Sequence, residues 1–409
     1  MTDRGVAVPL RFRDQGPVFM MSFGHAATHW IAATLYILLP LIKDTLGLSY
    51  AQAGLFLSIF HISSFLANFA SGLAVDVTGR RIVVQIVALL LGAMAALIFG
   101  LTDTYVVLCL MVGFMGAAVQ AWHPGAISFL SERYAQRRGY VLSIHSMGAN
   151  AGDALAPMAA GTLLTVLSWK TTAMLSAIPS VLMAVALVIL LLPADRRAAA
   201  ENGAMDVRRY FTGYWSLIRD RAVFTLTMTS AFRTGAQVGI FAFLPLYIAD
   251  VMQAGTVYMG AALMTIQIGG FIAAPVAGVW SDRIGRRPIV FGALGFSTIL
   301  ILALTFVDNP TVYVICVSVL GFFLFAVRPV VQSWMMDIVP RDFAGSATSL
   351  MFGVQSVLGA LAPIVGGLIA DSYGLLAVFY MLAGVMLFAN VLVFFIPKEA
   401  ALVADRPAP

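Results

Sequence analysis

Twelve stretches of this chain are long and apolar enough to cross a bilayer, and nothing else in the sequence restricts its fold as strongly. A helical span needs about 20 mostly apolar residues. The runs fall at 18–41, 52–75, 82–101, 105–130, 140–166, 169–192, 224–249, 256–280, 289–307, 311–336, 346–369 and 375–396. Composition agrees: 61% of residues are hydrophobic and 11% charged, against about 25% charged in a soluble domain. The chain is solvated mainly by lipid, so its net charge of +5 is to be read against the membrane and implies no nucleic-acid partner. Cys109 and Cys316 lie in apolar runs without metal-ligand spacing and read as packing residues. Arg4, Arg11 and Arg13 precede an apolar segment long enough to span, so no cleavable signal is expected.

Six runs precede the one long polar connection, Pro193 to Arg221, and six follow it. The expected organisation is a six-helix half over 1–193, a linker over 194–222 and a second six-helix half over 223–409. Within the linker, Phe211, Tyr214, Trp215 and Ile218 can share one face of a surface helix from Arg208 to Asp220, with Arg208, Arg209 and Arg219 toward lipid headgroups. Basic residues fix the orientation. Twenty of the 24 Lys and Arg fall at the termini, in the linker or in loops of a single side, leaving Lys43 and Lys170 opposite and Arg233 and Arg328 inside spans. The positive-inside rule then puts both termini in the cytoplasm.

The chain also repeats itself. Gly72-Leu-Ala-Val-Asp76-Val-Thr-Gly79-Arg80-Arg81 returns as Gly278-Val-Trp-Ser-Asp282-Arg-Ile-Gly285-Arg286-Arg287, 206 positions later. Leu155-Ala-Pro157 and Gly161 return as Leu361-Ala-Pro363 and Gly367 at the same offset, and His123-Pro124 matches Arg328-Pro329 at 205. A motif duplicated in register marks a duplicated unit. Because six is even, the second half enters from the same side as the first, giving two parallel repeats about an axis along the membrane normal. The expected fold is therefore an all-α membrane protein of twelve transmembrane helices in two parallel six-helix repeats.

With Gly72, Asp76, Gly79, Arg80, Arg81 and their copies Gly278, Asp282, Gly285, Arg286, Arg287, the chain resembles the major facilitator superfamily over essentially its whole length. The resemblance implies that the two loops are cytoplasmic gating elements and that Asp76 and Asp282 belong to a latch between halves. It also implies that helices 1, 4, 7 and 10 line a central cavity while helices 2, 5, 8 and 11 face one another across the halves. Ser22-Phe-Gly-His25, the His123-Pro124 pair, and Arg233 before Phe243-Leu-Pro-Leu-Tyr247 resemble the fosmidomycin-resistance branch. The chain departs from that branch at His29, often an Asp there, and at Gly125, often a Glu.

Ionisable residues inside the spans carry the functional expectation, because a charge at mid-bilayer costs about 2.5–3.5 kcal/mol and normally faces a cavity or a partner. They are His25 and His29 in segment 1, His61 in segment 2, His123 in segment 4, His145 and Asp153 in segment 5, Arg233 in segment 7 and Arg328 in segment 10. His25 and His29 share a helix face, as do Arg233 and Gln237. We expect His25, His29, His123, Arg233, Arg328 and Gln237 to bind substrate, with Asp153, His29 and His123 coupling protons. Arginine suits forked recognition of phosphonate, phosphate or carboxylate. His61 and His145 read as structural, and Gly148, Gly152, Gly161, Gly353, Gly359, Gly366 and Gly367 as sites of close helix approach.

The reading is a proton-coupled secondary transporter of a small organic anion or anionic drug, directed to efflux by the branch resemblance. No metal or cofactor is expected, no nucleotide-binding loop is present, and one chain suffices as a monomer. Proton symport for uptake fits the same residues, and a transition-metal site at His25, His29 and His123 is the chemical alternative. A sensor or scaffold, or a membrane enzyme, lacks any supporting constellation.

Overall fold

The computed structural model describes residues 12–193, 217–339 and 344–397. Twelve long helices account for nearly all of them: α1 Gly16–Leu46, α2 Tyr50–Thr78, α3 Arg81–Leu101, α4 Tyr105–Arg133, α5 Arg138–Leu163, α6 Trp169–Leu190, α7 Arg221–Asp250, α8 Thr256–Ile284, α9 Arg286–Leu304, α10 Pro310–Ile338, α11 Ala344–Tyr373 and α12 Leu375–Phe395. Each expected segment is one of these helices. Eleven contain a stretch long and apolar enough to cross a membrane, by length and composition. The exception, α5, has the length but carries Arg138, His145, Asn150 and Asp153. The expected surface helix at Arg208 to Asp220 falls largely outside the described residues.

Helix ends follow backbone chemistry more than hydropathy. α8 runs on past the apolar residues to Ile284 and stops at Gly285, whose φ of +92° favours glycine. α2 stops in the same way before Gly79, at φ +63°. α6 is interrupted at Ser176, between Trp169–Leu175 and Ala177–Leu190. Pro179 has no N–H to offer the Leu175 carbonyl, and the Ser176 hydroxyl donates back to the Ala173 carbonyl at 2.6 Å. α1 and α7 bury 72% and 78% of their apolar windows, whereas the other spans bury between 28% and 56%. The first helix of each repeat is thus the least lipid-exposed.

By contact the chain divides into two units, and the division cuts through α1, α2 and α5 and separates Trp169 from the rest of α6. The first comprises the described parts of Met1–Leu35, Ser63–Ala156 and Lys170–Ala204; the second comprises those of Tyr36–Ile62, Pro157–Trp169 and Met205–Pro409. The core of the first unit centres on Trp122, fully buried with Met21, Ile82, Leu89, Leu130 and Leu187. In the second, Tyr247 stacks on Tyr313 at 5.5 Å and meets Phe379 edge-on at 4.9 Å.

The second unit holds the first part of α2 (Tyr50–Ile62), the last two turns of α5 (Pro157–Leu163), and their neighbours α8 and α11, packed backbone to backbone. A Cβ on Gly54 would lie 2.2 Å from the Pro363 carbonyl oxygen, and one on Gly367 would lie 2.5 Å from that of Tyr50. The copy 206 residues away repeats the arrangement: Gly260 against the Pro157 oxygen and Gly161 against that of Thr256, both at 2.5 Å. Two helix pairs, α2 with α11 and α5 with α8, therefore meet through equivalent residues at the end opposite the duplicated loops. Asp371 completes this end for α2, accepting from the backbone N–H groups of Tyr50 (2.7 Å) and Ala51 (3.0 Å). Asp250 accepts from the Tyr50 hydroxyl at 2.7 Å and pairs with Lys43 at 3.3 Å.

Candidate functional site

In the first unit, α1, α4 and α5 bring four imidazoles and a carboxylate together. Close packing makes this possible. A Cβ on Gly24 would strike the Trp122 ring at 2.2 Å, while Gly148 and Gly152 of α5 lie against the backbone carbonyls of Ser22 and Ala26, at 2.0 and 2.4 Å from where a Cβ would be. Only glycine permits α5 to approach α1 so closely. The approach delivers His145 and Asp153 to the face of α1 that carries His25 and His29.

His25, buried, is the hub. Its Nδ1 lies 2.8 Å from the His145 carbonyl and its Nε2 lies 3.2 Å from His123 Nε2. The His145 ring stacks on it at 4.0 Å and 12°. His123 Nδ1 reaches the Val119 carbonyl at 3.1 Å. One turn along α1, His29 Nδ1 meets Asp153 Oδ1 at 3.0 Å, and its buried Nε2 has no hydrogen-bond partner among the described residues. Both ring nitrogens of His145 are also without one. One ring nitrogen from each of His25, His29 and His123 lies within 4.8 Å of the others, a spacing that a single cation can bridge.

Gly125, where the branch often has Glu, sits where α4 crosses α3: an added Cβ would lie 2.9 Å from the Arg81 carbonyl. A larger residue there would force the two helices apart. Polar neighbours complete the wall, with Gln120 donating to Asn68 Oδ1 at 3.1 Å.

In the second unit, Arg233 is almost wholly buried in α7 and donates to Gln237 one turn on. The Arg233 Nε–H has no partner among the described residues, so the guanidinium keeps a donor unspent. Arg328 on α10 is exposed. His61 belongs to this unit and not with the other histidines: its Nε2 lies 3.3 Å from the Tyr36 hydroxyl, and Tyr36 packs on Phe241 at 5.9 Å.

The duplicated loops are tied down within their own units. Arg81 pairs with Glu132 at the foot of α4. Arg286 pairs with Asp282, with Ser281 Oγ at 2.6 Å and with Asp337 at the foot of α10, 3.1 Å away. Arg287 donates to the Ile396 carbonyl, capping α12. The Asp76 side chain lies outside what the structure describes. Gly72 and Gly278 have no neighbour within 4 Å of an added Cβ, so in this conformation neither is held to glycine by contact. Glu132 and Asp337 were missed from sequence. Their signal is the 205-residue offset between them, the one that relates His123 to Arg328.

Twelve helices in two parallel repeats, with ionisable residues buried inside the spans, define an integral multi-pass membrane transporter. The family model of the Major Facilitator Superfamily matches residues 21–363 and 257–409, and the chain belongs to that family. It is 28% identical to the multidrug resistance protein MdtG of Citrobacter koseri over 365 residues, 86% of this chain and 87% of the relative. MdtG of Escherichia coli strain 55989 is also 28% identical, over 366 residues and 86% of each chain. Among solved structures, a bacterial homologue of the human lysosomal transporter Spinster, inward-facing and unoccupied, superposes with a TM-score of 0.81 at 14% identity, covering 98% of this chain and 100% of that one. The nucleoside transporter NupG does so at 0.77 and 15%, covering 94% and 100%. Such proteins move small molecules across membranes and are not enzymes, and this chain is a secondary transporter of that kind.

Proposed function

We propose that the chain is a proton-coupled efflux transporter of small organic anions, working by alternating access in a bacterial inner membrane with both termini cytoplasmic. One observation carries the coupling: His25, His29, His123, His145 and Asp153 meet in one cluster of α1, α4 and α5. Imidazoles are the side chains whose charge changes near neutral pH, and a carboxylate beside them balances that change. The anion preference rests on Arg233, a buried guanidinium with an unspent donor, supported by Gln237 and by Arg328. Drug-like cargo follows the MdtG relatives, which are multidrug resistance proteins, and export is the direction that would give resistance; the fosmidomycin-resistance residues argue for a phosphonate or similar head group. In this reading the two halves, 1–193 and 223–409, rock about the linker 194–222. The glycine contacts of α2 with α11 and α5 with α8 are the closed end, the duplicated loops are the opposing gate, and one chain acts as a monomer.

The test is transport by the purified protein in liposomes under an imposed pH gradient, against a panel of phosphonates, carboxylates, neutral drugs and divalent metals. Anion movement that dissipates the gradient, lost in Arg233→Ala, is expected. If no anion moves, or if Arg233→Ala and Arg328→Ala together leave the flux intact, the reading falls. The 4.8 Å grouping of His25, His29 and His123 gives the panel its metal arm: Zn²⁺ flux abolished by His29→Ala would replace anion transport with transition-metal transport.

A further inference from the structure

We infer that the anion bound by this protein carries an aromatic ring, held among Phe241, Phe325 and Tyr36 while Arg233 takes its charge. The inference rests on the anion reading above and extends it from the head group to the body of the substrate. Arg233, Gln237 and Phe241 follow one another at four-residue intervals, so they line one stripe of α7. Along the axis Gln237 stands about 6 Å and Phe241 about 12 Å beyond Arg233. The guanidinium reaches toward Gln237, which puts a bound charge and the Phe241 ring about 6–12 Å apart. The charge has to come with the ligand. The six expected spans of the second half contain Arg233 and Arg328 but no Asp or Glu, and Arg233 is 2% exposed with its Nε–H unspent. A guanidinium buried in this way is completed by an anion from outside the chain.

At the far end of the stripe, rings from three helices of the second unit meet. Phe241 lies 5.9 Å from Tyr36 of α1 at 56°, and 6.4 Å from Phe325 of α10 at 81°. Two of these rings are fixed from behind. The Tyr36 hydroxyl lies 3.3 Å from His61 Nε2, and Phe325 rests against Gly270 of α8, where an added Cβ would be 2.5 Å from the ring. Incomplete cover separates this group from the packing rings of the same unit. Tyr247, Tyr313 and Phe379, which stack on one another, are 4%, 0% and 1% exposed. Tyr36, Phe241 and Phe325 are only half-buried. Yet Tyr36 and Phe241 belong to α1 and α7, the two spans least exposed to lipid. Rings that lie on such helices and face one another present their uncovered edges to the protein interior, not to lipid. A further aromatic ring placed among them gains edge-to-face contacts that a saturated ring of the same size does not.

Three phosphonates that differ only in the tail test this: a phenylalkylphosphonate, the cyclohexylalkylphosphonate of the same chain length, and methylphosphonate. Each is titrated calorimetrically onto the full-length protein in lipid nanodiscs. The phenyl compound should bind about 2- to 10-fold more tightly than the cyclohexyl one. That preference should fall to near one in Phe241→Leu and in Phe325→Leu, whereas Phe379→Leu, a change in the packed core of the same unit, should keep it. Equal affinity for the two rings, a preference kept in both Phe241→Leu and Phe325→Leu, or binding of none of the three would overturn the inference. Should a variant not fold, NMR of the unsubstituted protein with only its phenylalanine rings protonated reads the same point: Overhauser transfer to the bound phenyl group is expected, and its absence overturns the assignment. Flux in liposomes under a pH gradient keeps the two readings apart. A phenyl compound bound with the ring preference but not moved would sink the transport reading alone. Phosphonates moved with no preference for the aromatic tail would sink the ring assignment alone.

Discussion

Alanine at Gly54 should drive this transporter away from the conformation described above. The Cβ it adds would lie 2.2 Å from the Pro363 carbonyl oxygen, where ordinary contact begins near 3.4 Å. α2 and α11 must therefore part by roughly 3.4 − 2.2 = 1.2 Å at that point. The obstructing atom is backbone and cannot rotate aside as a flexible side chain would. Overpacking of this kind costs about 1–3 kcal/mol, borne only by the state in which the helices touch. Alanine's greater helix propensity is present in both states and cancels. The difference corresponds to roughly a 5- to 150-fold shift toward the parted state. Spin labels at Ser49→Cys and Ser372→Cys, both exposed and both at this end, report it by electron double resonance once Cys109 and Cys316 are replaced by Ser. A longer-distance population should grow in Gly54→Ala and, somewhat less, in Gly260→Ala, whose Cβ would lie 2.5 Å from the Pro157 oxygen. Gly384→Ala, with nothing within 4 Å, is the control. A distance distribution in Gly54→Ala indistinguishable from that control would refute the reasoning.

Asp371→Asn should act at the same end. It removes a full charge from the first turn of α2 while keeping an acceptor, a loss of about 0.3–1 kcal/mol, seen as a smaller growth of the same longer-distance population. Gly285→Ala should lower the melting temperature in detergent, since its φ of +92° and ψ of 158° strain any side-chain-bearing residue by about 1–3 kcal/mol; Gly278→Ala, unobstructed, should leave it within error. Arg233→Lys should reduce anion flux in liposomes by about 10-fold or more although the charge is kept, because a charge-assisted bond of about 1.5–3 kcal/mol and the planar fork are lost together. Equal flux in Arg233→Lys and the unsubstituted protein would show that charge alone serves.

Length and apolarity made the helices legible because a bilayer admits few other solutions, and the 206-residue offset made the two repeats legible because duplication preserves register. Ends were less so: hydropathy fades several residues before Gly285 stops α8, and the Ser176 break in α6 is a hydrogen-bonding event inside an unbroken apolar run. Gly54 shows what sequence reading passes over even with the signal present. Tyr50, Gly54, Pro157 and Gly161 recur as Thr256, Gly260, Pro363 and Gly367 at one offset, yet only packing reveals that the first pair of each repeat meets the second pair of the other. The functional cluster divides in the same way. That His25 and His29 share a face followed from helical spacing, whereas the pairing of Asp153 with His29 depends on how α5 meets α1. His145, read as structural, instead provides both the carbonyl that fixes the His25 ring and the ring stacked upon it. No pattern of residue types could have supplied that, because it depends on Gly148 and Gly152 letting α5 settle onto the backbone of α1. The chemistry of the imidazoles is thus set by two residues that have no side chain.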